Sequence, residues 1–150
     1  MHTVMEEPRS WRMERRVLPQ HTDHAGVMWH GAYVAWMEEA RVQALEAAGL
    51  AYSELSGRGL ELPVVGLAIS YRQALFHGDL VQVRSVVLPR QGIKLPWYCC
   101  FVAPDGAVAA EAQVELVLLD SSAGPDRRRV LRRLPPDLAA AVEALRRGPS

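Results

Sequence analysis

Four runs in the second half of the chain alternate with a period of two, and only a few residues separate each from the next. "VVGLAISYRQAL", "DLVQVRSVVLP", "IKLPWYCCFVAP" and "AVAAEAQVELVLLD" are broken by "FHG", "RQG" and the tight "PDG" at 104–106. Alternation of this kind reads as half-buried strand, and tight polar or glycine-bearing breaks read as turns. In the last run Val108, Ala110, Ala112, Val114, Leu116 and Leu118 fall on one side, and Glu111, Gln113 and Glu115 on the other. A parallel crossover needs about a dozen residues or more, so the breaks require antiparallel neighbours, and a four-strand meander is expected. One face of that sheet must be covered.

Only one other stretch has the apolar surface to cover it. From His30, the residues Tyr33, Met37, Ala40, Ala44 and Ala47 recur at helical spacing, and Gly49 follows as a stop. "AYSELSGRG" (51–59) reads as a short helical turn or loop. "WRMERRVLP" (11–19) reads as a strand with Trp11, Met13, Arg15 and Val17 on one side, ended by Pro19. The expected fold is therefore α+β, an antiparallel five-stranded sheet wrapped around one long central helix. Residues 1–10 read as a loose tail, and 121–150 as a basic segment with a short helix, "PDLAAAVEALRR", at its end. The whole, 1–150, reads as one domain.

Composition narrows the function classes. Lys plus Arg and Asp plus Glu each number 17, so no global field favours nucleic acid or an anionic membrane. Cys99 and Cys100 are adjacent and cannot staple distant segments, which fits a reducing compartment. No apolar run reaches spanning length and the first residues lack a signal-peptide core, so a cytoplasmic location is expected.

Chemistry concentrates in "QHTDHAGVMWHGAYVAWMEEAR", residues 20–41. His21, Asp23, His24 and His30 are metal-ligand types, but they match neither paired zinc spacing nor a helical pair of histidines, so no metal is expected. An acid/base reading fits better. Asp23 lies in a loop closed by Gly26, just before a helix whose first N–H groups carry partial positive charge. A carbonyl held by those donors, with a carboxylate beside it, is an acyl-transfer arrangement. An Asp before a helix can equally be a turn or cap residue.

The spacing Asp23, Gly26, Val27, Trp29, His30, Tyr33, Trp36, Glu38, Ala40, Arg41 resembles the signature of hotdog-fold acyl-CoA thioesterases of the 4-hydroxybenzoyl-CoA thioesterase type, including the branch of Tol–Pal-associated thioesterases. The segment "YRQALFHGDLVQV" is similar too, although Ala74 stands where the family often has proline. The resemblance implies a hotdog fold that hydrolyses an acyl-CoA to free acid and CoA, without a cofactor. It implies that Asp23 is the nucleophile or general base and that the backbone N–H of His30 polarises the thioester carbonyl. It would set Gly26, Val27, Trp29 and Tyr33 against the substrate, although periodicity alone puts Tyr33, with Trp36 and Met37, in the stripe facing the sheet. Glu38 and Arg41, an i,i+3 pair, would support the site, above all at a subunit contact. A homo-oligomer, dimer or tetramer, is implied as well. Arg127–Arg129, Arg132 and Arg133, or equally Arg72, Arg84, Arg90 and Lys94, are candidates for the CoA phosphates.

Two other classes stay open at this point. Hotdog hydratases resembling the R-specific group carry a histidine five residues beyond the aspartate, where this chain has Met28. A non-catalytic acyl-thioester binding module would need no Asp23.

Overall fold

The computed structural model of the chain describes residues 10–149. The expected tail thus lies outside the described residues, apart from Ser10, which is buried. The elements in order are β1 (Trp11–Arg16), α1 (His30–Ala47), α2 (Tyr52–Gly57), β2 (Leu60–Glu61), β3 (Val64–Tyr71), β4 (Leu80–Val87), β5 (Leu95–Val102), β6 (Val108–Leu116), β7 (Leu119–Asp120), β8 (Arg129–Val130) and α3 (Pro136–Arg147), with 3-10 turns at Pro19–His21 and Pro125–Arg127. Every pairing in the main sheet is antiparallel, in the order β1-β4-β5-β6-β3.

That order corrects the expected meander. β4, β5 and β6 are joined as hairpins, but β3 lies on the far side of β6 and does not pair with β4. The turn-length argument excludes a parallel neighbour; it does not require the next strand to be adjacent. Residues 72–79 join β3 to β4. Eight extended residues reach about 26 Å at ~3.3 Å each. Skipping two strands takes only about 14 Å, three spacings of ~4.8 Å. The link therefore crosses the end of the sheet, and there it meets the loop that precedes α1.

α1 forms from good helix formers between an extended Trp29 and Gly49, whose φ of +92° suits a residue without Cβ. It buries Ala32, Tyr33, Trp36, Met37, Ala40, Ala44 and Leu45. These pack on Val81, Val83, Trp97, Cys99, Phe101, Ala112 and Val114, one continuous core. The alanines at 32, 40 and 44 let the helix axis approach the sheet, while Tyr33 and Phe101 meet edge to face at 4.9 Å. Ala47, expected in the stripe, is exposed, because the apolar face turns to Leu45 in the last turn. The inward alternation of β6 and the buried Met13 and Val17 match the sequence pattern.

Two features were not anticipated. β2, β7 and β8 form a second, three-stranded sheet, and α3 contributes Leu138, Ala141 and Leu145 to the interior.

Candidate active site

Asp23 is presented by a small hairpin. Thr22 and Met28 bridge antiparallel, the Asp23 N–H donates to Val27 O at 2.9 Å, and the Gly26 N–H donates to Asp23 O at 3.0 Å. Gly26 has φ +78°, so the turn closes through the left-handed region. The side chain is fixed by one oxygen only: Asp23 Oδ1 accepts the N–H of Ala25 at 2.9 Å and of Val27 at 3.2 Å. Among the described residues Oδ2 accepts no hydrogen bond, and the residue is exposed.

The link 72–79 holds this hairpin from below. Met28 N–H donates to Leu75 O at 2.8 Å and His77 N–H to Gly26 O at 3.1 Å, while Val27 and Phe76 bridge antiparallel. The link is itself braced by Asp79, whose Oδ2 accepts the Phe76 N–H at 2.9 Å. Its signal in the sequence is "FHGD", which reads as a strand break and as part of the family-like segment, with no supporting role attached to it.

The chain then returns to the helix. Trp29 N–H donates to His21 O at 3.1 Å, and Ala32 N–H, at 3.0 Å to Trp29 O, is the first donor of α1 to find a helical acceptor. Trp29, the N-cap, offers no side-chain acceptor. Among the described residues the N–H groups of His30 and Gly31 have no partner, and no carboxylate occupies the first turn. An uncapped first turn is a site for an electron-rich oxygen.

The other positions singled out in the sequence divide. Asp23, Gly26, Val27, Trp29 and His30 come together at this one end of the molecule. Val27 is half-buried, His30 exposed, and the Trp29 indole 47% exposed, its ring 5.2 Å from the His30 imidazole. Tyr33 is buried, as the periodicity predicts; burial and the neighbouring Tyr71 hold its hydroxyl up at about 12. Glu38 and Arg41 lie two to three turns along α1, lining a separate pocket of about 310 Å³ with Tyr52, Leu62 and Val64. Burial lowers Arg41 from its ordinary value and the Glu38 charge opposes that shift. The histidines do not converge: His21 Nδ1 accepts the Leu18 N–H at 3.0 Å and its ring meets Trp36. Among the described residues no three metal-ligand side chains gather.

Of the cationic candidates, Arg72, Lys94, Arg128 and Arg129 are in ion pairs with Glu111, Glu115, Glu61 and Asp120. Arg90 donates to the carbonyls of Leu131 and Arg132. The 127–133 segment belongs with β2, β7 and β8, next to the start of β3. Asp23 lies near the end of β3, roughly 25 Å away at ~3.3 Å per residue over eight residues.

Residues 17–142 match the model of the thioesterase-like superfamily. The chain belongs to that family. A Synechocystis protein named as a candidate esterase is 36% identical over 122 residues, 81% of this chain and 71% of its own. A candidate acyl-CoA thioesterase of Bacillus subtilis is 28% identical over 99 residues, 66% of this chain and 72% of its own. The DHNA-CoA thioesterase of Staphylococcus aureus superposes with a TM-score of 0.79 at 24% identity, covering 89% of both chains, and so shares the hotdog fold. No helix of the described residues is long and apolar enough to cross a membrane.

Proposed function

We propose that this protein is an acyl-CoA thioesterase whose reaction runs between Asp23 and the first turn of α1. One observation carries the reading: a carboxylate anchored by a single oxygen stands at the same end as two unpartnered helix N–H groups, in a chain of the thioesterase-like superfamily. The Bacillus relative's name points to the same chemistry and to CoA as the carrier.

In this reading the thioester carbonyl oxygen accepts hydrogen bonds from the His30 and Gly31 N–H groups, which stabilise the negative charge that develops on it. Asp23 Oδ2 supplies the attack in one of two ways. As general base it takes a proton from water while the water oxygen bonds to the carbonyl carbon; as nucleophile it bonds to that carbon itself and water later cleaves the anhydride. On the general-base route the tetrahedral adduct then breaks its C–S bond and the thiolate takes the proton that Asp23 removed from water; on the nucleophilic route the C–S bond breaks as the anhydride forms, before water cleaves it. In ¹⁸O-water under single turnover, label in Asp23 identifies the nucleophilic route with water attacking the Asp23 carboxyl carbon. Groups of the chain and water suffice for every step.

The reading includes a homo-oligomer. β3 is an outer strand with one edge unpaired, and its sequence VVGLAISY carries no charge. Soluble proteins guard such edges with charges or cover them. Antiparallel pairing of two β3 strands about a two-fold axis would cover both edges. It would also bring the partner's 127–133 arginines, at the start of its β3, to the end where Asp23 sits, within reach of CoA phosphates.

The test is CoA release from a panel of acyl-CoAs by wild type and Asp23→Asn, the thiol followed colorimetrically. The substitution should lower turnover by at least about a hundredfold, the contribution of a positioned acid/base group. Unchanged turnover would remove Asp23 from the mechanism. A wild type that binds acyl-CoAs and releases no thiol would be a binding module instead.

A further inference from the structure

The first turn of α1 contains a glycine in an ordinary helical conformation, which a helix interior does not favour. The reason lies in Trp29. A Cβ built on Gly31 would fall 2.6 Å from Cζ2 of the Trp29 indole and nearer still to Cη2 and Cζ3. The benzo ring therefore occupies the volume that any side chain at position 31 would take. Since helical Cβ atoms lean toward the N-terminus, that volume borders the unpartnered N–H groups. The indole is nevertheless 47% exposed, and its only ring contact among the described residues is the edge of His30.

We infer that Gly31 is a specificity-determining residue: it seats the Trp29 indole on the helix start, where the exposed ring face forms a fixed apolar wall for the acyl group. The inference rests on the proposed thioesterase reading and deepens it toward the acyl class. Three further apolar side chains on adjoining elements are exposed: Val34, one turn on from Gly31; Tyr71, whose ring meets that of Tyr33; and Phe76, which bridges Val27. The wall itself is apolar, so it favours bulky, uncharged acyl groups, aromatic or long aliphatic, over acetyl. With alanine at 31 the exposed ring is free to swing out, and the wall goes with it.

The experiment is a double-mutant cycle on Gly31→Ala, Trp29→Ala and the pair, read in two ways. The first readout is the ratio of kcat/KM for a bulky apolar acyl-CoA, such as benzoyl or decanoyl, to that for acetyl-CoA. Each single variant should lower the ratio by at least about tenfold, the worth of a hydrophobic pocket contact. The double variant should lower it no further than Trp29→Ala alone. The second readout needs no activity: acrylamide quenching of tryptophan fluorescence should rise in Gly31→Ala, because Trp36 and Trp97 are buried and Trp29 is the exposed indole that moves. If Gly31→Ala is poorly folded, adding Trp29→Ala should restore the thermal transition by removing the clash. A wild-type ratio and quenching profile in Gly31→Ala, additive effects, or no rescue would each overturn the inference. Absence of hydrolysis in all four proteins, with quenching changed as expected, would instead overturn the thioesterase reading alone.

Discussion

Asp23 depends on Gly26, because the two N–H groups that fix Oδ1 flank that residue in the turn. Gly26→Ala meets no steric neighbour, so its cost is conformational, about 1–2 kcal/mol for a left-handed residue with a Cβ. Urea denaturation should show that loss, and CoA release should fall by up to about a hundredfold as the carboxylate shifts. The cysteines predict the opposite kind of result. Burial pushes the Cys99 thiol up to about 12, and Cys100 is equally enclosed. A disulfide reagent should therefore label neither in the folded protein over the time of an assay and both after denaturation; rapid labelling of the native protein would contradict the packing of β5. At this scale the sequence is legible in what spacing controls, the loop that carries Asp23 and turns at Gly26 and the helix that starts at His30. Gly31 was not legible, because its reason is the position of another side chain.

Elements were legible by type and less so by place. The helix over 136–147 is announced by Pro136 and Gly148, yet it reads as an appendage until Leu145 is seen fully buried in the main core and the Trp11 Nε1–H is seen donating to the Leu145 carbonyl at 2.9 Å. Leu145→Ala should cost about 3 kcal/mol in denaturant unfolding, the usual loss for a buried leucine, and a cost under about 1 kcal/mol would show α3 to be peripheral. α3 is also clasped to α2. Arg58 donates to Asp137 at 2.5 Å and holds its carboxyl below the ordinary 3.8. A depressed folded value means that the stability from this pair is present above the ordinary carboxylate value and is lost as pH falls through the folded one. The melting temperature of wild type should exceed that of Asp137→Asn above about pH 5, and the gap should close in more acidic solution. The placement of β3 failed for a related reason: periodicity reports that a strand has two faces, and it does not report which strand lies beside it.

On the scale of the whole molecule, the uncharged β3 edge is the feature that one chain leaves unresolved. Val65 is 52% exposed and Leu67 45%, and the strand's free row of N–H and C=O groups has no helix or loop over it among the described residues. Neither fact is visible in "VVGLAISY", which reads as a half-buried strand of a meander; only the sheet order turns its apolar residues into an open edge. If two copies pair there, activity and assembly are linked, because each Asp23 end then borders the other chain's arginine segment. A lysine at Val65 puts a charge into that seam near the start of β3 and costs a monomer little, since the position is already solvated. Sedimentation of the wild type should give a dimer or a multiple of it, and Val65→Lys should give a folded monomer with an unchanged circular-dichroism spectrum. The monomer should lose affinity for acyl-CoA, with KM rising more than kcat falls, because Asp23 and the start of α1 belong to a single chain while the phosphate contacts would come from the partner. A wild type that sediments as a monomer, or a Val65→Lys monomer with the wild-type KM, would place the whole site within one subunit and return the CoA phosphates to cations of the same chain.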